Sequence, residues 1–327
     1  MLRDLAFKIV DWPAKGEFRI SRSTLTSFTV VQVSISHDRF TGIAECRPYA
    51  RYGESADSVI AQIETIRPEI ESGLSIQNLQ SHMAPGAARN AIDCALWDLK
   101  AKMDKAPVWQ LLQLPKPHAR KTAYTLSLDT PKRMAEAARD AKIYSLLKLK
   151  IGDKNGLSCC QAVLNARPDA ALIIDANEAM SASDLSALAD LNGAKNIALV
   201  EQPYPAGNDH KFTIGHPLAI CADESLHTSN DLLALKQAGY RAVNVKLDKT
   251  GGLTEALKVM KKAKELDFQI MAGCMVGSSL AMAPMMMLES FADYIDLDGP
   301  LLLSKDHSPS LKYKGGQICP PESNLWG

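Results

Sequence analysis

Through the second half of the chain, short apolar runs recur at a nearly constant interval, each closed by one charged residue. Leu147-Lys148-Leu149-Lys150-Ile151 alternates two lysines with three branched apolar residues. A period of two predicts a strand with both ammonium groups on one face. Ile173-Ile174-Asp175, Leu199-Val200-Glu201, Ile220-Cys221-Ala222-Asp223 and Val243-Asn244-Val245-Lys246 follow, their terminal charges 22 to 26 positions apart. That interval fits one strand, one helix and two short loops. Eight strands are expected near 122–127, 146–151, 171–175, 197–201, 218–222, 241–247, 269–273 and 293–297, with helices at Pro131–Ile143, Leu253–Glu265 and Ser278–Glu289 among those between them. Consecutive strand–helix units with charges at the strand ends predict an α/β barrel with its chemistry at the carboxyl ends of the strands.

The first 110 residues follow another pattern. Phe28–Ile35 is rich in β-branched residues and alternates, a turn follows at Ser36-His37-Asp38, and Gly42–Cys46 reads as a second strand. A loop rich in Arg, Tyr, Pro and Gly runs from Arg47 to Ser55. Helical patterns cover Ala56–Glu71 and Ala87–Lys102, the second with Ile92, Ala95, Leu96 and Leu99 on one face. Strands followed by helices indicate an α+β domain. Leu114-Pro115-Lys116-Pro117 is the best linker. The expected organisation is an α+β domain at 1–114, a barrel at 115–298 and a turn-rich segment at 299–327 that packs back on the first domain.

Composition narrows the class. The chain has 327 residues, 46% hydrophobic and 23% charged, as in soluble globular enzymes. A formal net charge of zero argues against nucleic-acid or anionic-membrane partners, which need a basic surplus. No apolar run has the length of a membrane span, and Met1-Leu2-Arg3-Asp4 opens no signal-peptide pattern. Seven cysteines without a C-x-x-C pair disfavour structural zinc and a disulfide framework. The reducing cytoplasm is the simplest compartment.

Asp175, Glu201 and Asp223 supply three carboxylates from three neighbouring strands. Together they form an all-oxygen site suited to a hard divalent cation such as Mg2+. Each alone reads more readily as an unrelated surface acid at a loop start; the ordered set at strand ends is what points to chemistry. Lys150 and Lys246 fall on strands two and six, on opposite sides of a barrel mouth. Burial beside Lys148 and a metal pushes a lysine toward the neutral amine. Two such lysines could remove a proton from one face of a bound carbon and return it to the other, as in a racemase or epimerase. Buried ion pairs with the carboxylates are the other reading, and these residues alone leave both open. The seven histidines fall at no strand end, Gly251-Gly252 lies in no Walker or dinucleotide pattern, and Met282, Met285, Met286 and Met287 have the helical spacing of core filler.

The ordered set Lys148-x-Lys150, Asp175, Glu201-Gln202-Pro203, Asp223-Glu224-Ser225 and Lys246 resembles the enolase superfamily, in its muconate-lactonizing-type branch. The resemblance runs the whole length. Pro48–Ser55, Gly86–Asp98 and Asn244–Leu253 make the chain similar, within that branch, to dipeptide epimerases acting on L-Ala-D/L-Glu. The resemblance implies a modified TIM (β/α)7β barrel under an α+β N-terminal capping domain, with one Mg2+ per subunit on Asp175, Glu201 and Asp223. It further implies 1,1-proton transfer through an enolate, with Lys150 and Lys246 as the acid–base pair and a lysine base of the kind known in that superfamily. The implied substrates are L-Ala-D-Glu and L-Ala-L-Glu, from murein peptides. The partners are this small dipeptide and, as a candidate, further copies of the chain, with no nucleic acid and no membrane.

Further roles come with the resemblance. Asp296-Leu297-Asp298 places two carboxylates on one side of a strand end, and in dipeptide epimerases this pattern seats the substrate's α-ammonium. Arg22 matches the position that holds the glutamate side-chain carboxylate, with Arg19 as a competitor; an arginine fork meets a carboxylate with two hydrogen bonds. Lys148 is expected to help hold the reacting carboxylate. Thr125 and Cys274 match substrate-contacting positions, Cys274 standing where other members carry serine. Muconate-type cycloisomerases, o-succinylbenzoate synthases and acylamino-acid racemases are the alternatives within the branch, and their substrates bring no free ammonium to Asp296 and Asp298. A barrel that binds an anion or metal without catalysis would have no use for opposed lysines.

Overall fold

A computed structural model of the chain describes residues 2–20, 22–152, 155–209 and 214–327. The first domain opens with a three-stranded antiparallel sheet of β1 (Asp4–Ile20), β2 (Ser23–His37) and β3 (Phe40–Cys46). The alternating stretch read from sequence is the inner part of β2. The long β1 has no clean alternation: Leu5, Trp12 and Phe18 are its buried residues, and its pairing with β2 shifts between Pro13 and Phe18. That irregularity is why the pattern did not reveal it.

Helix α1 (Ala56–Glu71) matches its expected span and starts from a capping box between Ser55 and Ser58. It buries Val59, Ile63, Ile66 and Ile70. A short α2 (Ile76–His82) leads to α3 (Ala87–Asp104). Helix α3 was expected to bury one face. It is instead buried nearly all round, Arg89, Asn90, Asp93 and Asp98 included, because it is wedged between the sheet and the second domain. The sheet approaches it so closely that a Cβ on Gly42 would lie 2.1 Å from the Ala95 carbonyl oxygen.

The second domain is a nearly closed barrel. After a two-residue strand β4 (Arg120–Lys121) come β5 (Tyr124–Leu126), β6 (Leu146–Lys150), β7 (Ala171–Asp175), β8 (Ile197–Glu201), β9 (Ile220–Ala222), β10 (Ala242–Lys246), β11 (Gln269–Gly273) and β12 (Tyr294–Asp296), hydrogen-bonded in that order from β5 to β12. All eight barrel strands fall where the apolar runs predicted them. The seam between β5 and β12 is bridged at Thr122 and Ile295, with the Ala123 N–H donating to the Ile295 carbonyl at 2.7 Å.

Alternation sorts the strand residues. Leu147, Leu149, Leu172, Ile174, Val243 and Val245 join the large core outside the barrel. Ala123, Leu146, Ile173, Leu199, Cys221, Ala242 and Met271 plug the inside. Above that plug the same inward face carries Lys148, Lys150, Asp175, Glu201 and Lys246. Register brings the charges to one level, Lys150 opposite Asp175 and Asp175 opposite Glu201.

The helix at Leu253–Glu265 has its predicted bounds. The one expected at Pro131–Ile143 ends at Asp140. The one expected at 278–289 is a single α-turn, Ser279–Met282, followed by a 3-10 run from Ala283 to Phe291. Pro284 opens that run, and a proline there cannot donate the next backbone hydrogen bond.

Two of the motif stretches quoted above weld the domains together. Arg89 donates to the carbonyls of Thr250 (2.6 Å) and Gly251 (3.0 Å), Asn90 to Asp248 (2.8 Å), and Thr254 Oγ1 to Asp93 (2.7 Å). Gly252 has φ +112°, and a Cβ there would sit 2.5 Å from Asp93. The chain end closes the structure. Strand β13 (Tyr313–Lys314) pairs with β14 (Gln317–Ile318), which pairs with β4, while Trp326 Nε1 donates to the Cys94 carbonyl at 3.3 Å and the Gly327 N–H to Asp98 at 2.9 Å. No helix among the described residues is long and apolar enough to cross a membrane.

Candidate active site

The cavity at the carboxyl ends of the barrel strands is lined by Thr125, Lys148, Lys150, Asp223, Lys246 and Asp298, among others. Cys274 and Asp296 also line it, and the first domain covers it with Phe18, Tyr49 and Tyr52.

Its floor is a lattice of ammonium and carboxylate groups. Lys148 Nζ lies 2.7 Å from Asp296 Oδ2, 2.7 Å from Glu201 Oε2 and 3.1 Å from Asp175 Oδ2. Lys150 Nζ meets Asp175 Oδ2 at 2.5 Å, and Lys246 Nζ meets Asp223 Oδ2 at 2.5 Å. Burial opposes charge on Lys148 and Lys246, but the surrounding acids, Asp296 and Glu201 for the first and Asp223 for the second, hold both ammonium groups well above the ordinary lysine range. Direct contact with these carboxylates keeps both groups charged.

Among the acids, burial and then the Asp175 charge push Glu201 up to about 8. Despite burial, Lys246 and Lys249 keep Asp223, and Lys150 and Lys148 keep Asp175, below the usual carboxylate range.

The donors suit a hard divalent cation: three wholly buried carboxylates on adjacent strands, all oxygen. Glu201 Oε2 accepts no hydrogen bond, although Lys148 Nζ stands 2.7 Å away. A buried carboxylate oxygen approached only by an ammonium group is one that a metal ion can also satisfy. Among the described residues, no three His, Cys, Asp or Glu side chains converge as a ready-made ligand cluster. Asp175, Glu201 and Asp223 are bridged through ammonium groups, so a cation joining them takes over lysine contacts.

Asp298 differs from its neighbour Asp296. Asp296 is paired with Lys148, whereas Asp298 has no ion-pair partner among the described residues and accepts the Thr125 backbone N–H at 2.6 Å. Burial and then the Asp296 charge push it up to about 7. This buried carboxylate in the cavity wall is a ready seat for a ligand cation. Cys274 lies beside it; burial and the charges of Asp296 and Asp298 push its thiol well up, so it stands there as a neutral, weakly donating group.

Arg22 reaches the rim, where it donates to Glu178 Oε2 (2.5 Å) and Glu224 Oε1 (2.8 Å) and approaches Tyr49 Oη at 3.4 Å. Arg19 points elsewhere, pairing with Glu17 and lying 3.9 Å from Asp129. Of the histidines, His227 packs edge-on against Tyr52 with centroids 4.9 Å apart; His210 lies outside the described residues.

Several residues around the site were not singled out from sequence. Lys249, fully buried, donates to Asp223 Oδ1 (2.5 Å), to the Asp223 carbonyl and to the Asn244 carbonyl (3.0 Å). Asn244 Nδ2 donates to Glu201 Oε1 at 2.7 Å, and Gln202 Oε1 accepts the Asp223 N–H at 2.9 Å. These groups position Asp223 and Glu201. The signal available was that Asn244 alternates inward with Lys246 and that Gln202 follows Glu201 directly.

The family model described as "Enolase C-terminal domain-like" matches residues 132–323, and that for the "Mandelate racemase / muconate lactonizing enzyme, N-terminal domain" matches 4–113. The chain is 44% identical over 307 residues to an N-acetyl-D-glutamate racemase of Pseudoalteromonas sp, covering 91% of this chain and 95% of that protein. It is 42% identical over 313 residues to the L-Ala-D/L-Glu epimerase of Escherichia coli (strain K12), covering 94% and 96%. A crystal structure of an enolase family member from Agrobacterium tumefaciens, described as having homology to dipeptide epimerases and solved with sodium and L-Ala-L-Glu, superposes with a TM-score of 0.94 at 45% identity, over 99% of this chain and 100% of that one.

Proposed function

The chain belongs to the mandelate racemase/muconate lactonizing enzyme family of enolase-like proteins, and on that premise we propose that it is a Mg2+-dependent dipeptide epimerase interconverting L-Ala-D-Glu and L-Ala-L-Glu. The observation that carries the reading is one cavity with two lysines from opposite barrel strands and, beside them, a buried carboxylate that has no ion-pair partner among the described residues.

The residues act as follows. Asp298, with Asp296 behind it, holds the α-ammonium of the amino-terminal residue. Arg22 meets the glutamate side-chain carboxylate at the rim. Thr125 and Cys274 pack against the dipeptide between these two anchors. Lys148 helps hold the reacting carboxylate. Lys150 and Lys246 stand on the two faces of the glutamate α-carbon; one takes the proton as an amine while the other, as an ammonium, delivers one to the opposite face. Asp175, Glu201 and Asp223 would hold a magnesium ion, which would supply positive charge to offset the charge that builds on the substrate carboxylate. Tyr52 and Phe18 shut water out from above.

A second reading has a specific observation behind it: the Pseudoalteromonas relative is named for N-acetyl-D-glutamate, which has no ammonium. Asp298 favours the dipeptide, since an N-acyl group would leave this buried carboxylate without a cation. Murein peptides are the proposed source of the substrate and the cytoplasm the proposed compartment; the seven free thiols suit a reducing environment. The test is incubation with each dipeptide and with N-acetyl-glutamate in D2O with Mg2+, following deuterium at the α-carbon. Exchange and epimerisation of both L-Ala-Glu isomers is the expected result; exchange of N-acetyl-glutamate alone selects the second reading, and no exchange at all refutes both.

A further inference from the structure

Arg22 is not the only arginine at the rim, and it is not held by its own loop. Glu178 Oε2 accepts from Arg22 Nη1 at 2.5 Å and from Arg51 Nε at 2.8 Å; Oε1 accepts from Arg51 Nη2 at 2.7 Å and from the Ala206 backbone N–H at 2.8 Å. Arg22 lies between β1 and β2, and Arg51 in the 3-10 turn Ala50–Tyr52. One barrel carboxylate therefore ties together two separate loops of the first domain.

The backbone that presents Glu178 is unusual. Asn177 and Glu178 are consecutive non-glycine residues in the left-handed region, at φ +43° and +69°. Such residues persist where the surroundings hold them. Here the Asn177 N–H donates to Asp175 Oδ1 at 3.1 Å and the Glu178 N–H to the Gln202 carbonyl at 2.8 Å. The strained step starts two residues after Asp175 and turns the Glu178 side chain up toward the first domain.

We propose that Glu178 is a positioning residue for substrate specificity: bound to Arg51, it holds Arg22 in place to receive the side-chain carboxylate of the substrate. The proposal rests on reading Arg22 as the residue that meets that carboxylate. Glu178 itself has four donors, three of them from Arg51 and the backbone, so it stays with Arg51 when a ligand arrives. Glu224 anchors the other arm of Arg22. The Nε–H of Arg22 donates to no described residue and remains for the ligand. Without Glu178, Arg22 would keep Glu224 as its one carboxylate partner among the described residues, with the Asn177 carbonyl and Tyr49 Oη each at 3.4 Å, and Arg51 would lose its shared counter-charge.

The experiment compares wild type, Glu178→Gln, Arg51→Gln, the double variant and Arg22→Ala on L-Ala-L-Glu and on L-Ala-L-Met, whose side chain is neutral, in the Mg2+-loaded enzyme. Glu178→Gln is expected to raise KM for L-Ala-L-Glu at least tenfold while changing kcat/KM for L-Ala-L-Met less than threefold. Arg51→Gln should do the same, and the double variant should be no worse than the single ones, because both act through one contact. An unchanged or lower KM for L-Ala-L-Glu in Glu178→Gln overturns the proposal, since Glu178 would then be competing with the substrate. Equal losses on both dipeptides also overturn it, leaving only a structural tie. Failure of the underlying reading looks different: Arg22→Ala would then show no preference between the two substrates, or the wild type no turnover of L-Ala-L-Glu.

Discussion

Replacing Asp298 by Asn tests the ammonium seat at nearly constant shape. An asparagine Oδ1 can still accept the Thr125 N–H, the contact made at 2.6 Å in the native protein, so the change removes charge and little else. A carboxylate and an ammonium at about 3 Å attract by about 5–6 kcal/mol at an effective dielectric near 20, before desolvation is subtracted. The net worth of a hydrogen bond to a charged group is about 1.5–3 kcal/mol. At about 1.4 kcal/mol per tenfold, kcat/KM for L-Ala-L-Glu should fall about 10- to 150-fold. N-acetyl-glutamate, with no ammonium, should lose less than about threefold by the same argument.

The pH profile gives a second, independent signature. Asp298 is pushed up to about 7, so in the free enzyme the seat becomes charged as pH rises through that value. Wild-type kcat/KM for the dipeptide should climb through about pH 7, and the variant should lose that limb. Both are read from initial rates of α-proton exchange by NMR. Equal losses on the dipeptide and on N-acetyl-glutamate, or an unchanged limb in the variant, would refute the assignment of Asp298.

Other expectations concern the metal, the domain weld and stability. Glu201→Gln keeps the side-chain size but removes one charge from the proposed ligand set; titrating Mg2+ into EDTA-stripped enzyme should show a requirement raised at least about tenfold, and an unchanged titration would remove Glu201 from the set. Gly252→Ala places a Cβ 2.5 Å from Asp93 at φ +112° and should cost about 2–3 kcal/mol or more in urea unfolding; a neutral result would mean that the weld yields. Burial pushes Asp248 up to about 7, against about 3.9 in an unfolded chain. Its raised value means that the fold favours the protonated form, so its contribution is fully present below about pH 4 and is lost as pH rises through 7, up to about 4 kcal/mol by linkage. Asp248→Asn should therefore narrow the drop in Tm between pH 5 and pH 8; an unaltered drop would place the pH dependence elsewhere.

Strands β6 to β10 were readable because a charge closes each apolar run and the interval is fixed by the βα unit. Leu147–Ile151 could be placed, face and all, by a period of two alone, and the inward face does carry both lysines. The strand β1 was not readable, because its buried positions follow no period and its register slips. The extent of burial of α3 was hidden too: Arg89, Asn90 and Asp93 look like a polar face until the loop at Thr250–Gly252 is laid against them. Lys249 escaped notice because it sits one turn beyond Lys246, off the strand, and acts on Asp223 rather than from its own strand end. The partners of Arg22 join residues up to 202 positions apart, which no local pattern reports.

The account turns on Lys150 and Lys246 serving opposite faces of one carbon. The most direct measurement is deuterium exchange at the glutamate α-carbon of separate L-Ala-D-Glu and L-Ala-L-Glu samples by Lys150→Ala and by Lys246→Ala. Neither variant should epimerise, each should exchange one isomer only, and the isomer should be opposite for the two. Full epimerisation by both variants, or exchange of the same isomer by both, would contradict it.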